Sequence, residues 1–156
     1  MVPRTTKRSE KNITGENMAY KVFLDTNVFL DHLLDRDVYS SQLLKACEES
    51  TLNGYASSAS FYTLSYVIRK STSASETRKL LGDYLRFISI LPTQKNSLRS
   101  SLDAAFNDLE NAFQYFTALD EGSIDFFVTN NLKDFQKVSQ QLPVISPKKF
   151  MNEYPG

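Results

Sequence analysis

The sequence contains a single cysteine, Cys47, and no apolar run approaches the roughly 20 residues that a helix needs to cross a bilayer. One cysteine cannot form an internal disulfide, which suits a reducing compartment. The first 17 residues are polar and lack the apolar core of a secretory signal. Together these absences predict a cytoplasmic protein that does not enter a membrane.

Glycine and histidine are also scarce. The five glycines are scattered, so there is no Gly-rich phosphate loop of the kind that nucleoside-triphosphate and Rossmann sites use. His32 is the only histidine and has no second His or Cys at ligand spacing, so we interpret it as a surface residue rather than a zinc ligand. The formal net charge is zero, so any binding of nucleic acid must depend on a local patch.

Basic residues flank the predicted loop between two middle helices. They could contact RNA phosphates or an acidic partner. They could equally form a solvated face that pairs with Glu76 and Asp83 at helical spacing. The basic residues concerned are Arg69, Lys70, Arg78, Lys79 and Arg86.

The chain is predicted to form one domain after a short extension. Its 156 residues fit one continuous core better than two. Residues 1–17 are rich in polar and charged side chains and cannot bury enough surface to offset the cost of ordering. We therefore expect a flexible N-terminal extension over residues 1–17 and the folded domain over residues 18–156.

Strand and helix patterns alternate along the folded domain. Short apolar runs bounded by turn residues predict strands buried on both faces, at 21–24, 55–56, 88–91, 126–128 and 144–145. Helical spacing predicts helices over 27–34, 38–51, 58–70, 75–87, 96–105, 108–120 and from 147 onward. Repeated βα units predict an α/β fold with three layers, α/β/α, around a mostly parallel central sheet. In such sheets the functional site lies beyond the carboxyl ends of the strands.

A first polar cluster follows the first predicted strand. Asp25 stands where the apolar strand turns into a helix, two residues before Asn27. Its carboxylate should therefore project into the crevice at the edge of the sheet. An alternative remains open, because Asp is also a common helix cap.

Two further clusters lie late in the chain. Asp108, Glu110 and Asn111 open a helix, where acidic groups also interact favourably with the helix dipole. Glu110 is about 200° round the helix from Asp108, so both can reach one ion only if the helix begins after Asp108. The last cluster follows the fourth strand and comprises Thr129, Asn131 and Asp134. Turns favour the same residue types, so this cluster alone indicates little.

Taken together, the three clusters predict a metal site, because the fold would bring them to one edge of the sheet. Carboxylates crowded in a cleft repel one another, and a hard cation relieves that repulsion. Mg²⁺ or Mn²⁺ prefers carboxylate, amide and water oxygens, and there it can activate a water for attack on a phosphodiester. The expected metal ligands are Asp25, Asp108, Glu110 and Asp134.

The order and spacing of five segments resemble the PIN domain family of Mg²⁺- or Mn²⁺-dependent nucleases, which includes the toxins of many bacterial toxin–antitoxin pairs. The resemblance covers residues 20–150. The segments are VFLDTNVFLD at 22–31, SSASFYTLSYVIRK at 57–70, DLENAFQYFTAL at 108–119, DFFVTNNLKDF at 125–135 and VISPKKF at 144–150.

The resemblance implies roles for individual residues. Asp25 matches the first catalytic aspartate of the family, and Asn27 matches a small polar residue that steadies the site. Thr63 stands where the family usually has a catalytic glutamate. Asn111 stands at the third acidic position, with Asp108 and Glu110 close enough to act as substitutes. Asn131 stands at the fourth acidic position and, like Thr63 and Thr129, is expected to position substrate or water.

Two functions follow from this pattern. The first is a metal-dependent endoribonuclease of the PIN type, in which Asp25, Asp108, Glu110 and Asn111 are catalytic. Such a protein could be the toxin of a toxin–antitoxin pair, with RNA as substrate, an antitoxin protein as partner and a homodimer as assembly. The second is a catalytically impaired PIN-like module that binds RNA or protein. A phosphotransfer domain is disfavoured, because Asn27 replaces the second aspartate of haloacid-dehalogenase phosphatases and the third strand ends without an aspartate.

Overall fold

The structure is a computed structural model that describes residues 19–138 and 141–154. The predicted N-terminal extension, residues 1–17, lies outside the described residues, and its flexibility stays a prediction. The described residues form an α/β domain with helices on both faces of a central sheet, as the strand and helix patterns predicted.

Five parallel strands form the central sheet, in the order β3-β2-β1-β4-β5. All the strand pairs are parallel, so the prediction of a mostly parallel sheet is confirmed. The strands are β1 (Lys21–Leu24), β2 (Asn53–Ser57), β3 (Ile88–Leu91), β4 (Phe126–Val128) and β5 (Val144–Ile145).

Seven α-helices connect or follow the strands within the described ranges. They are α1 (Thr26–Leu33), α2 (Val38–Glu48), α3 (Ser58–Arg69), α4 (Ala74–Leu85), α5 (Lys95–Asp103), α6 (Leu109–Glu121) and α7 (Pro147–Glu153). Side-chain caps fix several helix starts: the Ser57 hydroxyl accepts a hydrogen bond from the backbone amide of Ser60, and Ser146 caps α7, with Pro147 at its first position. None of the helices that the structure describes is long and apolar enough to cross a bilayer.

Most helix boundaries differ from the sequence prediction by one or two residues, and three other differences are larger or add an element. Strand β2 begins at Asn53 rather than Tyr55, because Asn53 and Gly54 pair with the start of β1 instead of forming a turn. Helix α2 ends at Glu48, before the predicted boundary, and the chain then reverses through Ser50 at a φ of 63°. The segment Leu132–Phe135 forms a short 3₁₀-helix where no element was predicted.

Alternate residues of the central strands face opposite helix layers. Val22 and Leu24 of β1 contribute to a large apolar cluster that also contains buried residues of α1, α2, α3, α4 and α7. Phe23 points to the other face and packs in a second cluster with Phe127 of β4 and Tyr115 of α6. Because both faces are covered by helices, β1 after Lys21 and the whole of β4 are apolar, and polar groups are left for the residues that follow them.

The register of β1 and β4 determines where the polar strand ends meet. Leu24 lies opposite Val128 in the parallel pairing of these neighbouring strands. The residues that follow them, Asp25 and Thr129, therefore stand side by side at the carboxyl edge of the sheet. The backbone amide of Asp25 also donates to the carbonyl of Val128 at 3.0 Å, which fixes the exit from β1.

A close approach at Gly54 provides a test of this packing. A β-carbon at Gly54 would lie 2.7 Å from Cδ1 of Ile88, 2.8 Å from Sγ of Cys47 and 3.3 Å from its β-carbon. Gly54→Ala should therefore lower the free energy of unfolding by about 1–3 kcal/mol, the usual cost of overpacking a core, as measured by urea denaturation.

The matched control is Gly82→Ala in α4. Nothing lies within 4 Å of a β-carbon there, so the helix should gain up to about 1 kcal/mol from the better helix former. Equal effects of the two substitutions would contradict the close packing of β2 against α2 and β3.

Candidate functional site

Asp25 is the centre of a buried polar network at the carboxyl edge of the sheet. It stands at the N-cap position of α1, and only 1% of its surface is exposed. Its Oδ1 accepts a hydrogen bond from Nε2 of Gln114 on α6 at 3.0 Å. Its Oδ2 accepts one from the hydroxyl of Thr129, after β4, at 2.7 Å. Three separate chain segments thus meet at one carboxylate.

The electrostatic environment of Asp25 disfavours its charged form. Burial raises the pKa of this carboxyl above its usual value, and the charge of Glu110 adds to the increase. The hydrogen bonds from Thr129 and Gln114, and the backbone of Asn27, oppose it. Among the described residues, no Lys, Arg or His side chain forms an ion pair with Asp25. The site is therefore a buried carboxylate without a cationic partner from the described protein.

Gln114 links Asp25 to α1 and α3. Its Oε1 accepts from the backbone amide of Thr26 at 3.0 Å. The hydroxyls of Thr26 and Ser60 lie 3.2 Å and 3.3 Å from the same oxygen. Ser60 in turn lies 3.1 Å from the hydroxyl of Ser57. These contacts orient the amide of Gln114 so that its nitrogen faces Asp25.

Sequence reasoning did not identify Gln114, Thr26 or Ser60 as members of the site. A signal existed for Gln114, because it is three residues after Asn111 and four after Glu110 on the same helix. Thr26 follows Asp25 directly, and Ser60 is one turn before Thr63 on α3. Thr63 itself is half-buried in the second turn of α3, and Ser60 is the α3 side chain that reaches Gln114.

Asp108 and Glu110, at the start of α6, have different contacts. The helix begins at Leu109, after Asp108, as the sequence argument required for both carboxylates to face one ion. However, Asp108 is exposed, and its Oδ1 accepts from the backbone amides of Glu110 at 2.8 Å and Asn111 at 3.3 Å. Glu110 is half-buried and lies 3.4 Å from the hydroxyl of Thr26 through its Oε1. Glu110 thus approaches Asp25, whereas the Asp108 carboxylate caps the helix.

Asp134 belongs to a second polar group at the same edge. Its Oδ2 accepts from Nδ2 of Asn111 at 2.9 Å and from Nδ2 of Asn131. The backbone amide of Asn131 also donates to the Thr129 hydroxyl at 3.0 Å. Thr129 therefore connects this second group to Asp25, and the predicted residues Asn111, Thr129, Asn131 and Asp134 do lie close together.

The four predicted metal-ligand carboxylates are not gathered as one binding group. Within residues 19–138 and 141–154, no set of three or more Asp, Glu, His or Cys side chains is arranged to hold a metal ion. The physical reasons are local: Asp108 is used as a cap, and two amides bind Asp134. Asp25 and Glu110 interact through their charges.

The chain is thus an α/β domain with a buried polar network at the carboxyl ends of its parallel strands, the place where ligands bind in sheets of this kind. The family model described as "PIN domain" matches residues 21–133. The chain therefore belongs to the PIN domain family, which confirms the resemblance seen in the sequence. No curated protein matches the chain with significant sequence similarity.

Solved structures share the fold. A chain of VapBC from Salmonella typhimurium bound to DNA matches with a TM-score of 0.65 and 15% identity, over 82% of this chain and 98% of that chain. VapBC2 from Rickettsia felis bound to a promoter fragment matches with a TM-score of 0.63 and 17% identity, over 80% and 97%. A toxin–antitoxin complex from Klebsiella pneumoniae matches with a TM-score of 0.60 and 19% identity, over 81% and 97%. At these identities the likeness shows a common fold.

The burial of Asp25 predicts a pH-dependent effect of its substitution. Because its folded-state pKa is raised, the folded protein holds the proton more tightly than the unfolded chain does, and this group's contribution to stability is lost as the pH rises past the ordinary aspartate value. Asp25→Asn removes this dependence. We expect the stability of the variant relative to the wild type, measured as the difference in their free energies of unfolding, to be greater at pH 7 than at pH 4.5.

Urea denaturation in EDTA at the two pH values measures the difference. The substitution also changes hydrogen bonds, but the part of that cost that does not depend on pH cancels when the two pH values are compared. Asp103→Asn, at the exposed end of α5, is the control and should show no comparable change. If the benefit of Asp25→Asn is instead greater at the acidic pH, Asp25 is not a disfavoured buried charge.

Proposed function

We propose that the chain is a PIN-type nuclease that cleaves RNA phosphodiesters with the help of Mg²⁺ or Mn²⁺. The observation that carries the proposal is the Asp25 carboxylate, which is buried beside Glu110 without a cationic partner among the described residues. Buried charges in proteins are normally paired or coordinate a metal ion. Membership of the PIN domain family supports the same assignment.

The donor set suits a hard cation. Asp25 and Glu110 offer carboxylate oxygens, which Mg²⁺ and Mn²⁺ prefer as ligands. Mg²⁺ is commonly bound through one or two carboxylates and keeps several waters, so two acidic ligands are sufficient. Asp25 and Glu110 would therefore hold the ion. When bound, it would activate a water and offset charge that develops on the phosphodiester.

The surrounding residues are proposed to position this pair. Gln114 and Thr129 hold the two oxygens of Asp25, so they orient it without touching the substrate. Asp108 fixes the first turn of α6 and with it the backbone from which Glu110 extends. These three are positioning residues, and only Asp25 and Glu110 are proposed to be metal ligands.

The remaining predicted residues are proposed to bind or position the substrate. Asn111 and Asn131 share Asp134, which keeps their amides at the edge of the site. We propose that these amides bind water or phosphate oxygens, with Asn27 and Thr63 at the entrances formed by α1 and α3. Asp134 serves to anchor the two amides in this scheme.

A second candidate function is a PIN-like module that binds RNA or protein without cleavage. Two observations favour it: no group of three acidic residues is gathered in the described part of the chain, and both oxygens of Asp25 already accept hydrogen bonds. In this case Asp25 would be a structural element of the strand end.

The solved structures that share the fold include toxin–antitoxin complexes. This supports a proposal that the chain is the toxin of such a pair and has a protein antitoxin as partner. Co-expression with a small protein encoded beside it, followed by co-purification, tests the partnership. The homodimer expected from the sequence stays a prediction.

Metal-dependent cleavage tests the leading proposal against the second. We expect the purified chain to cleave single-stranded RNA in Mn²⁺ or Mg²⁺, and its Tm to rise as Mn²⁺ is added, because the ion binds the folded state alone. Asp25→Ala and Glu110→Gln should abolish both effects. Gln114→Ala should reduce the rate of cleavage by roughly 10–100-fold, the usual effect of removing a group that orients a ligand.

The control is Glu49→Gln, which removes an exposed carboxylate just before β2, at the opposite edge of the sheet. It should leave cleavage and the Mn²⁺-induced shift unchanged. Absence of cleavage and of any shift at millimolar Mn²⁺ would reject the nuclease and favour the binding module. Equal cleavage by Asp25→Ala would show that the activity belongs to another site or to a contaminant.

A further inference from the structure

Two large aromatic side chains of α3 project into solvent. Tyr62 is 75% exposed and Tyr66 is 67% exposed. The two residues are four positions apart, so they lie on one side of the helix and one turn from each other. The opposite side of α3 is buried through Leu64 and Ile68. Because both rings are largely exposed, they contribute little to the core and are available for binding.

Two cationic residues extend the same surface. The ammonium group of Lys70 lies 4.3 Å from the centre of the Tyr66 ring, and Arg69 precedes it. The guanidinium of Arg69 donates to the carbonyl of Thr72, which holds it at the end of the helix. We call the set Tyr62, Tyr66, Arg69 and Lys70 the tyrosine face.

The chain segment that carries the tyrosine face has charges of one sign. Residues 50–75 contain no Asp or Glu, although the whole chain has as many acidic as basic residues. The cations at 69 and 70 are therefore not neutralised by acidic residues of their own segment. A local patch of this kind is what a protein of zero net charge requires in order to attract a polyanion.

The tyrosine face is connected to the candidate site through α3 itself. Ser60 in the first turn of the helix contacts Gln114, which binds Asp25. Along the helix axis Tyr62 is about 3 Å beyond Ser60, and Tyr66 about 9 Å beyond it. Tyr62 is also about 200° round the helix from Ser60, so it faces outward where Ser60 faces the site. A strand bound near Asp25 would therefore have to pass round the first turn of α3 to reach the two rings.

We propose that the tyrosine face binds a single-stranded RNA segment that adjoins the phosphodiester at Asp25, with one base stacked on each tyrosine and Arg69 and Lys70 contacting phosphates. Surfaces that bind single strands combine stacking aromatics with a positive track in this way. The inference rests on the proposed function, because it assigns the path of the same substrate.

RNA fits this face better than a second copy of the chain. The exposed groups here are aromatic rings with polar tips and two cations, and Ser65 lies between the tyrosines. Large exposed aliphatic side chains lie on other helices, for example Leu98 and Leu102 on α5. A polyanion with flat bases is complementary to both the rings and the charge.

Binding of a fluorescein-labelled single-stranded RNA oligonucleotide, followed by anisotropy with the full chain in EDTA, tests the inference without cleavage. Tyr62→Ala and Tyr66→Ala should each weaken binding at least about fivefold, which corresponds to the lower end of base stacking. Tyr62→Phe and Tyr66→Phe keep the rings and should bind as the wild type does. Lys70→Gln should reduce the slope of log affinity against log salt by about 0.7.

Leu102→Ala is the matched control, since it removes an exposed apolar side chain of another helix. It should not change the affinity for RNA. The inference is overturned if the alanine variants bind as tightly as the wild type, if the phenylalanine variants lose as much affinity, or if the wild type binds no RNA. It is also overturned if light scattering shows that Tyr62→Ala changes the oligomeric state at unaltered affinity per protomer, because the face would then be an interface between copies.

The same variants separate this inference from the proposed function. If the protein cleaves RNA, Tyr62→Ala and Tyr66→Ala should raise KM and leave kcat nearly unchanged, since the two tyrosines lie outside the pair Asp25 and Glu110. If RNA binding depends on the tyrosines but no RNA is cleaved in Mn²⁺, the nuclease proposal is rejected and the tyrosine face is retained as an RNA-binding surface. If both alanine variants cleave RNA with an unchanged KM, the nuclease proposal is retained and RNA binding by the tyrosine face is rejected.

Discussion

The burial of one carboxylate at the end of the central strand is the constraint on which the rest of the site depends. Removing Asp25 from water is unfavourable, and donors must reach both of its oxygens to offset part of that cost. Those donors come from α6 and from the residue after β4. The register of β1 with β4 and the rotation of α6 are therefore both coupled to this single group.

Most of the fold could be predicted because its determinants are local. Short apolar runs and helical spacing indicated all five strands and all seven α-helices of the described ranges, while most helix boundaries were wrong by one to three residues and the short 3₁₀-helix was missed. Asp25 and Thr129 could be placed together because they follow strands that proved to be neighbours. Gln114 and Ser60 could not, because tertiary packing decides which polar residues of a helix turn inward. Asn111, Gln114 and Tyr115 are all buried on α6, although only one of them is apolar.

Hydrogen bonds to neighbouring amides account for the positions of Asp108 and Asp134, two of the four predicted ligand carboxylates. Asp108 satisfies backbone amides that the first turn of α6 would otherwise leave without partners. Asp134 satisfies the amides of Asn111 and Asn131. The sequence offered a helix-dipole role for Asp108 and a turn role for Asp134 as alternatives, but composition and spacing give no relative energies. Coordinates were needed to show that each carboxylate lies within reach of nearby donors.

In the proposed nuclease, a site with only two carboxylates would alter the balance between metal and substrate. Fewer anionic ligands attract a cation less strongly, so phosphate oxygens would have to supply more of the ion's coordination. RNA would then have to be held by contacts away from the acidic pair, and with zero net charge these must be local. Helix α3 meets that requirement, because its first turn touches the Asp25 network through Ser60 while Tyr62 and Tyr66 face solvent. The same helix that completes the buried network thus provides the surface from which a polyanion could be guided to it.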